Sequence, residues 1–135
     1  MSEMKKYDLS NPDDLSAKII NILYGKKAHD IKLLKVTNQT IIADYFVIAT
    51  GNSNTQIKAL ADEVEYQTGL LGLKPKNVEG FREASWVLLD YSSVIVHIFN
   101  RETREFYNLE RLWSDAEEIN AKSLIEEEEK DEDNG

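Results

Sequence analysis

Cysteine is absent from the 135-residue chain, which excludes disulfides, thiolate metal sites and cysteine nucleophiles. Histidine is scarce. His29 and His97 stand 68 positions apart, and no His-x-x-x-His spacing exists to hold a metal on a helix face. No apolar run approaches the roughly 18 residues of a membrane span, so no membrane partner is expected. The first seven residues lack the apolar stretch of a signal peptide, and no Arg- and Ser-rich presequence is visible. The expectation is a soluble, cytoplasmic protein. Both nucleotide fingerprints, Gly-x-x-x-x-Gly-Lys and Gly-x-Gly-x-x-Gly, are missing as well.

The residues that are present fit one globular domain: the composition is 41% hydrophobic and 30% charged, enough apolar material for a single core. The net charge of −9 is unevenly spread. Residues 117–135 hold seven Glu, two Asp and two Lys, a net −7, which leaves only −2 on residues 1–116. The acidity belongs to a tail, and the nearly neutral body can still face RNA or ribosome with a locally basic surface. The densest part, Glu126-Glu127-Glu128-Glu129-Lys130-Asp131-Glu132-Asp133, repels itself and cannot bury surface, so about the last 15 residues are expected to be disordered.

Hydrophobic spacing sets out the elements. Ser10 or Asn11 can cap a first helix, with Pro12 in its first turn, Asp13 and Asp14 complementing its dipole, and Leu15, Ile19, Ile22 and Leu23 along one face. Residues 31–36 read as a strand. Residues 44–50 are apolar almost throughout, as expected of a central strand covered on both faces. Gly51-Asn52-Ser53 breaks that strand, and Ser53 with Gln56 forms a capping box for a second helix carrying Ile57, Leu60, Ala61, Val64, Thr68 and Leu71. A short strand over 74–79 precedes a hairpin of Trp86–Asp90 and Val94–Phe99 that turns at Ser92-Ser93.

In that register Leu88 faces His97, and Val87, Leu89, Tyr91, Val94, Val96 and Ile98 share a core face. The opposite face mixes Trp86, Leu88, Asp90, Ile95, His97 and Phe99, and reads as unsealed. Residues 101–116 predict one or two short helices with Phe106, Leu109, Leu112 and Trp113 pointing inward and Arg104, Glu105 and Arg111 in water. The order of elements is that of an α/β domain with a mixed sheet.

Thr50-Gly51-Asn52-Ser53 opens a helix, where free N–H groups attract anions, but a plain turn and cap explain each residue. Nucleotidyl transfer needs carboxylates converging on metal ions. Asp62, Glu63 and Glu65 instead lie on a helix, with Asp62 and Glu63 diverging by about 100° around it. His97 and Asp90 share a strand face without standing opposite one another, and no activated third partner accompanies them. Stacking of bases on Trp86, His97, Tyr107 and Trp113 lacks the interleaved Lys and Arg that nucleic-acid binding needs, and nothing points to DNA. An interaction protein remains, since exposed Trp and Tyr with a few charges are the material of protein–protein hot spots.

The run Asp44-Tyr45-Phe46-Val47-Ile48-Ala49-Thr50-Gly51-Asn52-Ser53, with Gln56 and Ala61-Asp62-Glu63-Val64, resembles the ribosomal silencing factor family (RsfS, also called Iojap). The resemblance continues through Glu79-Gly80, Trp86-Val87-Leu88-Leu89-Asp90-Tyr91, Val94-Ile95-Val96-His97-Ile98-Phe99 and Arg104-Glu105-Phe106-Tyr107-Asn108-Leu109-Glu110-Arg111-Leu112-Trp113. It covers residues 11–116, leaving 1–10 as an N-terminal extension and 117–135 as the acidic tail. One departure is Ser92, where the family usually carries Gly, and it bears on the type of the hairpin turn.

The resemblance implies a mixed, about five-stranded sheet flanked by helices, related to nucleotidyltransferases but without their catalytic carboxylates, hence no cofactor, no metal and no enzymatic activity. It also implies binding to the fourteenth protein of the large ribosomal subunit, with ribosomal RNA nearby, so as to block joining of the small subunit and lower translation when nutrients are scarce. A large-subunit assembly role is the alternative, with a divergent nucleotidyltransferase-like enzyme behind it. The contact set implied is Trp86, Leu88, Asp90, His97, Tyr107, Leu109 and Glu110, with Trp86 and Tyr107 as anchors. An exposed aromatic face also suits pairing of free copies as a homodimer.

Overall fold

The computed structural model describes residues 7–126. Asn11 caps helix α1 (Pro12–Gly25), its side chain accepting from the backbone N–H groups of Asp13 and Asp14. Strands β1 (His29–Lys35) and β2 (Tyr45–Thr50) come next, then helix α2 (Asn54–Leu70). Ser53 Oγ accepts from the Gln56 N–H at 3.0 Å as the capping box requires, but the returning bond is shifted by one residue: the Gln56 side chain accepts from Asn52 N–H. Strands β3 (Asn77–Glu79), β4 (Trp86–Asp90) and β5 (Val94–Phe99) lead to two short helices, α3 (Arg101–Tyr107) and α4 (Leu109–Leu112), and to strand β6 (Glu117–Ile119). A 3₁₀ turn, Ala121–Leu124, comes last.

The sheet has six strands in the order β3-β4-β5-β2-β1-β6, one more than expected. Only β2 and β5 are parallel. Each of their residues is buried, as a strand covered on both faces demands. Along β2, Tyr45, Val47 and Ala49 turn toward α1 and α2, where they join Ile19, Ile20, Leu23, Ile57, Leu60 and Val64. Phe46 and Ile48 turn the other way, into a smaller cluster with Leu34, Val36, Ile95, Phe99 and Leu109.

The extra strand lies at the head of the acidic tail. Glu117–Ile119 pairs antiparallel with β1, and Lys32 meets Glu118 at 3.3 Å. Asn21 on α1 then donates to the Leu124 carbonyl at 2.9 Å and accepts from Glu126 N–H at 2.7 Å. Charge density marks 117–135 as one unit in the sequence, yet backbone pairing and one buried alanine, Ala121, draw its first ten residues into the fold. The expected disorder of the acidic run falls, from residue 127 onward, outside the described residues, as do residues 1–6 of the extension.

The hairpin register is the expected one, with Leu88 opposite His97 and the Tyr91 N–H donating to the Val94 carbonyl. Ser92 takes φ +73° at its tip, a left-handed conformation that glycine adopts more readily than serine. The three-residue turn closes by Ser93 N–H donating to the Tyr91 carbonyl at 2.9 Å. Beneath it, Tyr91 OH and Thr68 Oγ1 form a buried 2.8 Å hydrogen bond, and burial pushes the phenol up to about 12.

Gly80 has a stricter role. Its φ is +81°, and a β-carbon there would stand 2.1 Å from the Trp86 carbonyl oxygen. Gly80→Ala is expected to destabilise the fold by about 2 kcal/mol or more, because strained backbone and a backbone clash add. Urea unfolding of the two proteins measures it, and an unchanged midpoint would refute the close approach.

Candidate functional site

The face of the sheet opposite α1 and α2 is covered by the short helices α3 and α4, with Val36 and Ala43 from the β1–β2 connection and Trp113 and Ala116 beyond α4. Asn108, at φ +48°, ends α3 and caps α4, its side chain accepting from Arg111 N–H at 3.3 Å. This break resets the helical phase. Leu109 therefore turns inward as expected, while Phe106 and Leu112 point outward, 79% and 72% exposed. Trp113 is half-buried, edge-on to Phe46 at 5.1 Å.

Arg104, expected in water, is buried instead. Its guanidinium donates to the Asp30 carbonyl at 2.6 Å, to Thr50 Oγ1 at 2.8 Å and twice to Glu110 Oε2, at 3.1 and 2.7 Å. A bulge in β1 between His29 and Lys32 brings the Asp30 carbonyl into range, with Asp30 itself at φ +49°. One side chain thus ties α3 to α4, to the end of β2 and to the start of β1. The signal for it in the sequence is modest: an Arg and a Glu six apart, straddling an Asn that can cap.

The seven residues expected to touch a partner separate by depth. Trp86 is half-buried, its ring 4.9 Å from Phe99 and 4.7 Å from Tyr107, which is itself 50% exposed. Leu88 sits beside them, half-buried on β4. These three come together, and Phe106 joins them through an edge-on contact with Tyr107 at 5.0 Å. Leu109 and His97 lie beneath. Glu110 is held by Arg104. Asp90 faces neither histidine nor solvent alone: its Oδ1 accepts from Ser92 N–H at 2.7 Å and braces the hairpin turn.

The face that reads as unsealed in the sequence is therefore sealed along β5, where Ile95, His97 and Phe99 are all buried, and part-open along β4, where Trp86, Leu88 and Asp90 are half-buried. His97, 5% exposed, accepts from Trp86 Nε1–H at its Nδ1, 3.1 Å away. Burial alone depresses its basicity to about 4, so the ring is neutral at pH 7.

A cleft of about 360 Å³ opens at the carboxyl end of β2, lined by Asp30, Lys32, Thr50, Arg101, Arg104 and Glu110 among others. Open α/β sheets commonly hold ligands in that position. Two ion pairs lie within its lining, Arg104 with Glu110 and Arg101 with Asp30 at 3.6 Å, and Lys32 pairs with Glu118 on β6. In the nearby Gly51-Asn52-Ser53 turn, the cap bonds of Ser53 and Gln56 occupy the backbone, and a β-carbon on Gly51 would stand 2.7 Å from Ile57 Cγ1. Asp62 and Glu63 lie on α2 as expected, Glu63 accepting from Gln67 at 2.7 Å. Among the described residues no group of three or more His, Asp or Glu could hold a metal ion, and no helix is long and apolar enough to cross a membrane.

Fold and surface together define a class: a one-domain α/β protein whose mixed sheet carries long helices on one face and a part-exposed aromatic cluster on the other. Comparison with known proteins narrows it. The family model described as "Ribosomal silencing factor during starvation" (RsfS) matches residues 10–135, and the chain belongs to that family. It is 46% identical to ribosomal silencing factor RsfS of Bacillus subtilis over 91 residues, covering 67% of this chain and 77% of that one. It is 38% identical to RsfS of Halalkalibacterium halodurans over 106 residues, covering 78% and 91%. A crystal structure of a Bacillus halodurans protein superposes with a TM-score of 0.70 at 34% identity, covering 82% of this chain and 99% of that one.

Two outcomes test the buried groups. Because His97 has a folded-state pKa below the unfolded value of 6.5, the unfolded chain binds more protons between those limits. The neutral ring's contribution is fully present above about pH 6.5 and is lost as pH falls toward 4, by up to about 3 kcal/mol. Urea unfolding across that range should show a shallower acid decline in His97→Phe than in the unaltered protein. Arg104→Met leaves Glu110 without its partner and is expected to cost about 3 kcal/mol. Adding Glu110→Leu should return a large part of that loss, which a thermal melt of single and double variants measures.

Proposed function

We propose that this protein is a translational repressor. It binds the free large ribosomal subunit through that subunit's fourteenth protein and sterically blocks joining of the small subunit, lowering translation under nutrient limitation. The observation that carries the reading is the cluster of Trp86, Tyr107 and Phe106, part-exposed on a buried, braced base. Rigid aromatics flanked by apolar side chains are what hot spots of protein interfaces use. Family membership supports the ribosomal context.

Occupancy suffices for the effect. A binder of the free subunit shifts the joining equilibrium by mass action, to an extent set by its concentration and affinity. Trp86 and Tyr107 serve as anchors, with Leu88 adding apolar surface on the same face of β4 as Trp86. Leu109, His97 and Glu110 support them from below, and Asp90 fixes the hairpin that carries Trp86 and Leu88.

Sucrose-gradient sedimentation with isolated subunits, then a joining assay, tests the proposal. Migration with large subunits and loss of joined particles are expected. Trp86→Ala and Tyr107→Ala should each weaken binding by about 2 kcal/mol or more, close to thirtyfold, while remaining folded. Failure to migrate with large subunits at physiological salt would overturn the reading. Normal joining with accumulation of immature large subunits in a deletion strain would replace it with an assembly role. Sedimentation equilibrium of the free protein reports whether copies pair through the same face.

A further inference from the structure

An indole N–H only donates, so the 3.1 Å bond from Trp86 Nε1 to His97 Nδ1 fixes the imidazole as the tautomer with its proton on Nε2. That Nε2 is buried and has no hydrogen-bond partner among the described residues. A buried donor without an acceptor opposes folding, and its retention calls for a reason. Shape does not supply one. The ring sits edge-on to Phe46 at 5.1 Å and stacked on Phe99 at 6.2 Å, surroundings that a phenylalanine ring would fill without the stranded N–H. What the imidazole adds to that pocket is an acceptor at a fixed point below the Trp86 indole.

We propose that His97 is a positioning residue for partner recognition, its Nδ1 holding the Trp86 indole in one orientation and engaging the indole N–H from within. Trp86 then meets the partner through its carbon atoms, set between Phe99 and Tyr107, and the patch opposite it on the partner is apolar, with no acceptor for the N–H. This rests on the reading that Trp86 is an anchor of the partner surface, and it assigns His97 a role without contact.

Nitrogen-15 spectroscopy of the unaltered free protein comes first. The Nε2–H tautomer is expected at His97, and the opposite tautomer would overturn the proposal whether or not any variant folds. Exchange of the Trp86 indole proton is then compared in His97→Phe, where it should quicken on the order of tenfold as the acceptor is lost. Unchanged exchange would overturn the proposal.

Binding to purified large subunits completes the test. His97→Phe should bind on the order of tenfold more weakly while melting at the same or a higher temperature. His97→Asn, whose Oδ1 can accept near the Nδ1 position, should restore binding to within about threefold of the unaltered protein. Binding and stability that fall together in His97→Phe would indicate a purely structural histidine and overturn it. Trp86→Ala separates the two readings. If Trp86→Ala weakens binding and His97→Phe does not, positioning fails alone. If Trp86→Ala binds normally, the anchor reading fails and the positioning role goes with it.

Discussion

Two central strands buried on both faces need two covers, and the chain supplies long helices for only one of them. The other cover is made of helices of seven and four residues, too short to persist without tertiary support. Arg104 provides that support by joining α3, α4 and the ends of β1 and β2 through one guanidinium. An isolated buried arginine would be untenable. Glu110, the Asp30 carbonyl and Thr50 Oγ1 make it tolerable, and in return they fix where the thin cover lies.

The thinness of that cover is also what leaves a surface. On the α1 and α2 side every large apolar residue of the two central strands is enclosed. On the other side the sheet's outward residues exceed what eleven helical residues can shield, so Trp86 and Leu88 remain partly open, with Tyr107 against Trp86 and Phe106 next to it. Stability of the cover and shape of the exposed cluster are therefore set by the same contacts. His97 belongs to this logic, because from its position in the core it braces a ring at the edge.

Most of the architecture is legible because strand alternation and helix stripes are clean: the hairpin register, both long helices and the inner core face come from spacing alone. The failures have particular causes. Running one helical period across residues 101–116 turns Phe106 and Leu112 inward, but Asn108 interrupts the helix and rotates α4 relative to α3. Residue type alone puts Arg104 in water, although its partners are mostly distant in sequence and two of them are a backbone carbonyl and a threonine hydroxyl. His97 lies on a face whose mixed composition suggests openness, whereas aromatic neighbours from β2, β4 and β5 close over it. The sixth strand is hidden by charge, since two glutamates and one isoleucine carry no strand signal of their own and depend on the free side of β1 for their order.

Both borders of the sheet are three residues long and carry carboxylates, Glu79 at one side and Glu117 and Glu118 at the other. Short, negatively charged borders are poor templates for backbone pairing with another chain. A sheet with a nearly continuous apolar centre would otherwise be prone to grow by adding strands from its neighbours. Here growth in that direction is discouraged, so contacts between copies, or with any other molecule, must be made by side chains standing on the faces. Such contacts remain reversible and respond to concentration, whereas strand addition propagates into fibres.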